Sequence, residues 1–434
     1  MRRLEFVPPA ENAFVDAVGA ALRNSARRIL LPDTGPLASQ VALRLRAQMP
    51  DIAIETAPSA GDPAPVVVLC ETDGENLTAA LMEQMDRSSV QVIAPVTDWI
   101  WNRRSLFLIS IPKSGTHLLM ELAEAFGYRS GEEAPPEAVP GAWHYLEFTN
   151  SHTAAPDFFI DTVRRAPHGN RAHSFTRTPS LFIYRNPLDI VASEANYYQE
   201  DGATVFAGYL DALSYEERLL RLINDPWLMG SIRDRVGKFA AWLDFGSVIP
   251  VSFEELVGPQ GGGDAAVQAD LIWSLMLRLH VPGKPADIAT KVFNPNSPTF
   301  RFGKIGGHQN RFNDAAWEKF RALPQDFMEA YGFAQRPASG PWLPSRADEF
   351  RRRAPRYSKI DMGATPFLVR QNYLGHNILR YRGRFWAMPH GFPFGDLMKA
   401  PPEAFKMMLS AEDPATLEFL VQSKLILNYN RNTA

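Results

Sequence analysis

Three short runs of this chain combine the residue types that grip phosphate-like anions. The first is Ile111-Pro112-Lys113-Ser114-Gly115-Thr116-His117. Placed between a strand and a helix, such a loop aims backbone N–H groups and the positive end of the helix dipole at one point. Lys113 adds a point charge there, and the Ser114 and Thr116 hydroxyls add donors. Lys113 comes before Gly115 and no earlier glycine is in register, so this is not the Walker A arrangement, whose lysine follows the second glycine. The second run is Arg185-Asn186-Pro187-Leu188-Asp189-Ile190-Val191-Ala192-Ser193. Its planar guanidinium, with a hydroxyl about two helical turns further on, suits a phosphate monoester. The third is Arg301-Phe302-Gly303-Lys304-Ile305-Gly306-Gly307-His308-Gln309-Asn310-Arg311-Phe312. Its three glycines permit close backbone approach to a ligand, and basic side chains flank them.

The elements around these runs are those needed to present them. Leu106 to Ser110 is an apolar run that predicts a buried strand, and His117 to Phe126 predicts a helix with Leu118, Leu119, Leu122 and Phe126 inward. Gly127 stands where a left-handed helix cap is wanted. Leu181 to Tyr184 predicts a second strand running straight into Arg185. Asn186 then suits an N-cap and Pro187 the first helical position. Arg185 thus falls at the carboxyl end of a strand, where open α/β sheets bind ligands.

Around this centre lie two further regions. Residues 1–100 are expected to form a small α/β accessory domain, with strands at Arg28–Leu31, Ile52–Thr56, Val66–Cys70 and Val90–Ile93 and helices at Leu37–Gln48 and Leu77–Met85. No G-x-G-x-x-G follows its first strand, so no dinucleotide is assigned to it. The stripe Leu219, Leu220, Leu222 and Ile223 reads as helix packing. After a core of 101–335, the Pro/Ser/Gly-rich stretch Arg336 to Pro341 marks a boundary. The extension 345–434 carries a hairpin, Asn377–Tyr381 and Arg384–Met388 about a turn at Arg382-Gly383. Its aromatics Tyr373, Tyr381, Phe385 and Trp386 either line a sugar platform or pack on the core.

Composition narrows the class. Of 434 residues, 45 are Lys or Arg and 48 are Asp or Glu, for a net charge of −3. No broad nucleic-acid or anionic-membrane surface is implied, so any anion site is local. Cys70 is the only cysteine, which excludes an internal disulfide and points to a reducing, cytoplasmic setting; it ends an apolar strand and reads as core. No stretch reaches the ~20 apolar residues of a membrane span.

Together the three runs resemble the signatures of the PAPS-dependent sulfotransferase family, where PAPS is 3′-phosphoadenosine 5′-phosphosulfate. Pro112 to Leu118 follows P-K-[ST]-G-T-[TH]-[WL], and Arg185 to Ser193 follows R-[ND]-P-x-D-x-x-x-S. Arg301, Gly303, Gly306, Asn310 and Phe312 fall in register with R-K-G-x-x-G-[DN]-x-x-N-x-F. The resemblance covers 101–335 and implies an α/β fold: a P-loop-like parallel sheet of four or five strands flanked by helices. The extra N-terminal layer and C-terminal extension, and the lack of a membrane span, fit a bacterial-type member. It also implies that Lys113, Ser114, Gly115, Thr116 and His117 hold the 5′-phosphosulfate, and that Arg185, Ser193, Arg301 and Gly303 serve the 3′-phosphate. The chain departs from the family at Leu118, Phe302 and Gly307. Phe253, in a segment resembling Y-E-[DE]-L, either packs on adenine or belongs to the core.

Transfer of a sulfuryl group needs a base for the acceptor and charge neutralisation for the departing phosphate. Lys113 and the loop amides serve the second need without a metal. For the first, His173 is the candidate, since Arg171-Ala172-His173 resembles the family's K-[TS]-H-x-P element; His168, His144 and His152 follow. The expected products are 3′,5′-ADP and a sulfated acceptor, of saccharide or small-metabolite class; oligomeric state is left open. A P-loop kinase is the rival enzyme, and a non-catalytic nucleotide-binding scaffold is the rival of another class.

Overall fold

The computed structural model describes residues 1–23, 27–58, 65–97, 105–130, 143–149, 179–244 apart from 202 and 205, 247–295, 303–333, and 367–433 apart from 393–396, 398 and 399. Two parallel sheets and one antiparallel sheet account for most of the strands.

The N-terminal layer has strands β1 (Arg2–Val7), β2 (Arg28–Leu30), β3 (Ala53–Glu55), β4 (Val66–Val68) and β5 (Val90–Pro95), in the order β1-β5-β4-β2-β3, all parallel. Its helices are α1 (Glu11–Ala21), α2 (Pro36–Gln48) and α3 (Gly74–Met82). β1 and α1 are additions to the sequence reading, whose first strand in this layer is Arg28–Leu31. β1 sits at the sheet edge, where only Leu4 and Val7 of its six residues are buried, so it lacks the apolar run of an inner strand. Cys70 lies just past β4, buried, and burial pushes its thiol up to about 12. It is core, as expected.

The second sheet consists of β6 (Ser105–Ser110), β7 (Tyr128–Ser130), β8 (Trp143–Thr149), β9 (Ser180–Tyr184) and β12 (Val248–Ser252). Their order is β12-β9-β6-β8-β7, again all parallel. A short hairpin, β10 (Asn224–Asp225) and β11 (Gly230–Ser231), precedes β12. β9 and β12 are buried at every residue, and each has a single serine, at one end, among apolar or aromatic residues. Parallel pairing puts the carboxyl ends of β6, β9 and β12 side by side, and the chain leaves them into the helices α4 (Thr116–Ala125), α5 (Pro187–Tyr197) and the short turn of helix Phe253–Leu256.

The two parallel sheets share a core. Helix α8 (Ala265–Leu279), counted after α6 (Ala207–Asp211) and α7 (Tyr215–Ile223), buries Leu271, Ile272, Trp273, Leu275, Met276, Leu277 and Leu279. A helix apolar on nearly all sides must be covered on more than one. Leu77, Leu81, Val67 and Val92 of the N-terminal layer join the same cluster as Leu108, Leu119 and Val251 of the second sheet. Polar contacts seal the join: Trp273 Nε1 donates to Gln84 O at 3.3 Å, and Leu4 and Gly283 exchange two backbone hydrogen bonds.

The C-terminal sheet runs β13 (Phe367–Tyr373), β14 (His376–Tyr381), β15 (Arg384–Pro389) and β16 (Leu409–Ala411), antiparallel throughout. The expected hairpin is β14–β15, with Arg382 at φ 47° and Gly383 at φ 76° in the two central turn positions. Tyr381 is buried in a cluster with Leu379, Met388 and Leu397, against which Trp227 and Trp386 pack. Tyr381 and Trp386 therefore pack with Trp227 of the β10–β11 turn, whereas Tyr373 and Phe385 pack in a separate cluster with Ile378, Ala387, Leu417 and Val421.

Candidate anion site at the carboxyl ends of β6 and β9

The loop after β6 makes its turn with two residues at positive φ: Lys113 at 65° and Gly115 at 110°. The lysine is notable, because positive φ costs a non-glycine residue and clusters at sites where backbone geometry serves a ligand. Gly115 is the N-cap of α4 and offers no side chain to the first turn. The N–H groups of a first helical turn have no partner within their own helix, so they are aimed at the mouth of this loop.

The loop hydroxyls hold its shape. Ser114 is fully buried; its Oγ lies 2.6 Å from Ile111 O and 3.0 Å from Ile183 O, and its N–H donates to Ile111 O. Thr116 Oγ1 donates to Ser110 Oγ at 2.8 Å. Ser114 thereby ties the loop to β9, with its side chain turned into the protein and not toward the mouth. The Lys113 ammonium sits 3.5 Å from the centroid of the Tyr197 ring on α5, a cation–π contact.

Arg185 is the junction of the site. It is 8% exposed, and its Nη2 donates to Lys304 O at 2.8 Å while Nη1 reaches Lys113 O at 3.4 Å. One guanidinium thus touches both the β6 loop and the glycine loop of 303–308. Its plane rests 4.1 Å from the Phe253 ring centroid. Phe253 is buried, and its ring edge also lies against Gly115, so the ring is occupied by protein on two sides and belongs to the core. Arg185 Nε and Asn186 Nδ2 are buried with no partner among the described residues. Buried donors without acceptors are costly, and these two belong to the residues that directly follow β9.

Behind Arg185 stands Glu254, wholly buried, which accepts from Asn186 N at 2.9 Å and Ser252 Oγ at 3.2 Å. Burial raises its carboxyl to about 8. On α5, Asp189 is buried and grips the glycine loop: Oδ2 accepts from Gly306 N at 2.8 Å, and Oδ1 from His308 N at 2.9 Å and His308 Nδ1 at 2.7 Å. Burial alone would raise the Asp189 pKa, but the His308 hydrogen bond and the Arg185 charge bring it below the usual carboxylate value. Neither Asp189 nor His308 was singled out from sequence. The fixed aspartate of the second run was the one available signal.

Residues Asp189, Ser193 and Tyr197 recur every four positions and share one face of α5. Ser193, half-buried, therefore lies between the residue that holds the glycine loop and the ring that holds Lys113. His117 is half-buried in the first turn of α4; burial lowers its pKa, Glu147 opposes this, and Lys113 lowers it further. His144 is placed differently. It pairs with Ser105 at the first residue of β6, so it lies at the amino end of the sheet. Five residue steps of strand, about 16 Å, lie between Ser105 and Ser110, so His144 is far along the sheet from the Lys113 loop. His173, His168, His152 and Arg301 lie outside the described residues, as does the linker Arg336–Pro341. Gly303 is described, at φ 48° beside Lys304.

No family model matches the chain, and no curated protein matches it. Among solved structures it is similar to the crystal structure of mouse sulfotransferase SULT7A1 complexed with PAP, at 18% identity over 59% of this chain and 90% of that one, with a TM-score of 0.37. The fold is an α/β one, parallel sheets flanked by helices with an antiparallel sheet appended. Among the described residues no helix is long and apolar enough to cross a membrane.

Proposed function

We propose that the chain is a PAPS-dependent sulfotransferase that moves a sulfuryl group to a hydroxyl or amine of a saccharide or small metabolite. The observation that carries this reading is the position of Arg185, in contact with Lys113 O on one side and Lys304 O on the other. Two anion-gripping loops joined by one guanidinium suit a nucleotide with phosphates at two separate positions. The lysine-before-glycine order separates the loop from nucleoside triphosphatases.

PAPS is here a substrate, consumed in each turnover. Lys113 and the N–H groups of Gly115, Thr116 and His117 take the 5′-phosphosulfate, with Ser114 holding the loop in shape. Arg185, Ser193, Arg301 and Gly303 take the 3′-phosphate. The acceptor O–H or N–H gives its proton to His173 as the new bond to sulfur forms. The bond from sulfur to the 5′-phosphate oxygen breaks in line, and Lys113 neutralises the charge left on 3′,5′-ADP. Residues 1–100, 101–335 and 345–434 serve as accessory layer, catalytic region and extension.

The test is an acceptor screen with radiolabelled PAPS, with and without EDTA, in parallel with calorimetric titration of 3′,5′-ADP. Labelled product that survives EDTA, together with 3′,5′-ADP binding, is the expected result. Transfer that needs ATP and stops with EDTA would establish the kinase reading instead. His173→Ala should lose most of kcat and keep 3′,5′-ADP binding.

A further inference from the structure

The sequence marks Asp189 as a fixed motif position but gives it no task, and leaves His308 as a variable one. In the structure they form a buried polar cluster. The two Asp189 oxygens accept three hydrogen bonds from the glycine loop, at 2.7, 2.8 and 2.9 Å. Both side chains are within a few per cent of full burial. The His308 ring is further fixed by edge contacts with Phe312 and Trp317, with ring centroids 6.0 Å away in each case. Such a cluster sets the path of residues 306–308, and that path decides where Lys304 O meets Arg185 Nη2. Asp189 also lies 3.9 Å from Arg185 Nη2, one helical turn along. The glycine loop and the guanidinium are therefore positioned by the same carboxylate.

We propose that Asp189 and His308 are positioning residues that fix the glycine loop against Arg185 and so confer selectivity for a nucleotide carrying a second phosphate. This rests on the sulfotransferase reading and adds to it the groups that set nucleotide selectivity. The Lys113 loop grips one phosphate by its own geometry. The second grip needs the glycine loop and Arg185 in register, and a carboxylate that accepts from two backbone N–H groups and an imidazole holds a flexible glycine segment in one place.

Two substitutions separate hydrogen bonding from packing at His308. His308→Phe keeps a ring against Phe312 and Trp317 and removes the Nδ1 donor. His308→Asn removes the ring and puts an amide N–H near the Nδ1 position. Full-length wild type and both variants are titrated calorimetrically with 3′,5′-ADP and with 5′-AMP, and melting is recorded for each. Wild type should prefer 3′,5′-ADP. H308F should lose that preference tenfold or more, with 5′-AMP affinity within about twofold of wild type, while H308N retains most of it. The reverse order, with H308N losing selectivity and H308F keeping it, overturns the proposal in favour of ring packing, and so does a wild-type ratio in both. A wild-type protein that binds neither nucleotide, or binds both alike, counts against the sulfotransferase reading itself.

Discussion

Replacing Gly115 by alanine tests how the β6 loop and Arg185 depend on one another. A Cβ at this position would lie 2.8 Å from Phe253 Cδ2 and 3.3 Å from Ile183 Cδ1, at φ +110°. Phe253 cannot simply swing aside, because its ring face lies 4.1 Å from the Arg185 guanidinium. Gly127, at the far end of α4, is the control: it has φ +93° and nothing within 4 Å of its Cβ position. Each substitution carries a backbone cost of roughly 1–3 kcal/mol for holding alanine at positive φ. Only Gly115→Ala adds overpacking, about 1–3 kcal/mol more. Urea unfolding should therefore show G115A less stable than G127A by that second amount. The displaced Phe253 should tilt Arg185 and weaken 3′,5′-ADP binding at least tenfold, whereas G127A binds as wild type does. Phe253→Leu in the G115A background makes room for the new methyl, so the two changes should be less than additive. Equal destabilisation of the two alanine variants, or strict additivity with F253L, would refute the packing argument.

Arg185→Lys keeps the charge but cannot bridge Lys113 O and Lys304 O, so 3′,5′-ADP affinity should fall tenfold or more in calorimetry. Glu254→Gln should flatten the stability–pH profile. The folded pKa of Glu254 is raised to about 8, so its stabilising contribution is complete below the unfolded-state value and is lost as pH rises through the folded one. Urea midpoints of wild type should thus decline between about pH 4.5 and 8 more steeply than those of E254Q. The His117 ring, followed by NMR, should titrate below the ordinary histidine value; Lys113→Met should move its midpoint upward, because Lys113 is one of the groups that lower it.

Local backbone geometry is legible in the sequence. Lys113, Gly115, Asn186 and Pro187 act through turn geometry and helix starts, and each can be read from its neighbours in sequence. Asn186 does cap α5, accepting from Leu188 N at 3.0 Å. The ties between loops were not legible, because they join residues far apart: His308 and Asp189 are separated by 119 positions, Lys304 and Arg185 likewise by 119. No local pattern encodes such a pair. The family resemblance implies that Ser114 faces the ligand, but its hydroxyl lies against the Ile111 and Ile183 carbonyls inside the turn, and sequence does not report which carbonyls stand nearby.

The shared core of the two parallel sheets shows the same limit and one missed signal. The apolar residues of α8 leave little polar face, and a helix of that kind needs cover on both sides. That pattern predicts a second layer over α8, which the N-terminal sheet supplies through Leu77 and Leu81 of α3. The consequence reaches the site. The segment just before α8 accepts a backbone hydrogen bond at Gly261 O from Ile305 N, at 2.9 Å. The glycine loop is thus pinned from α5 by Asp189 on one side and from the α8 approach on the other. Through α8, the described residues of the N-terminal layer thus share a core with the segment that pins the glycine loop.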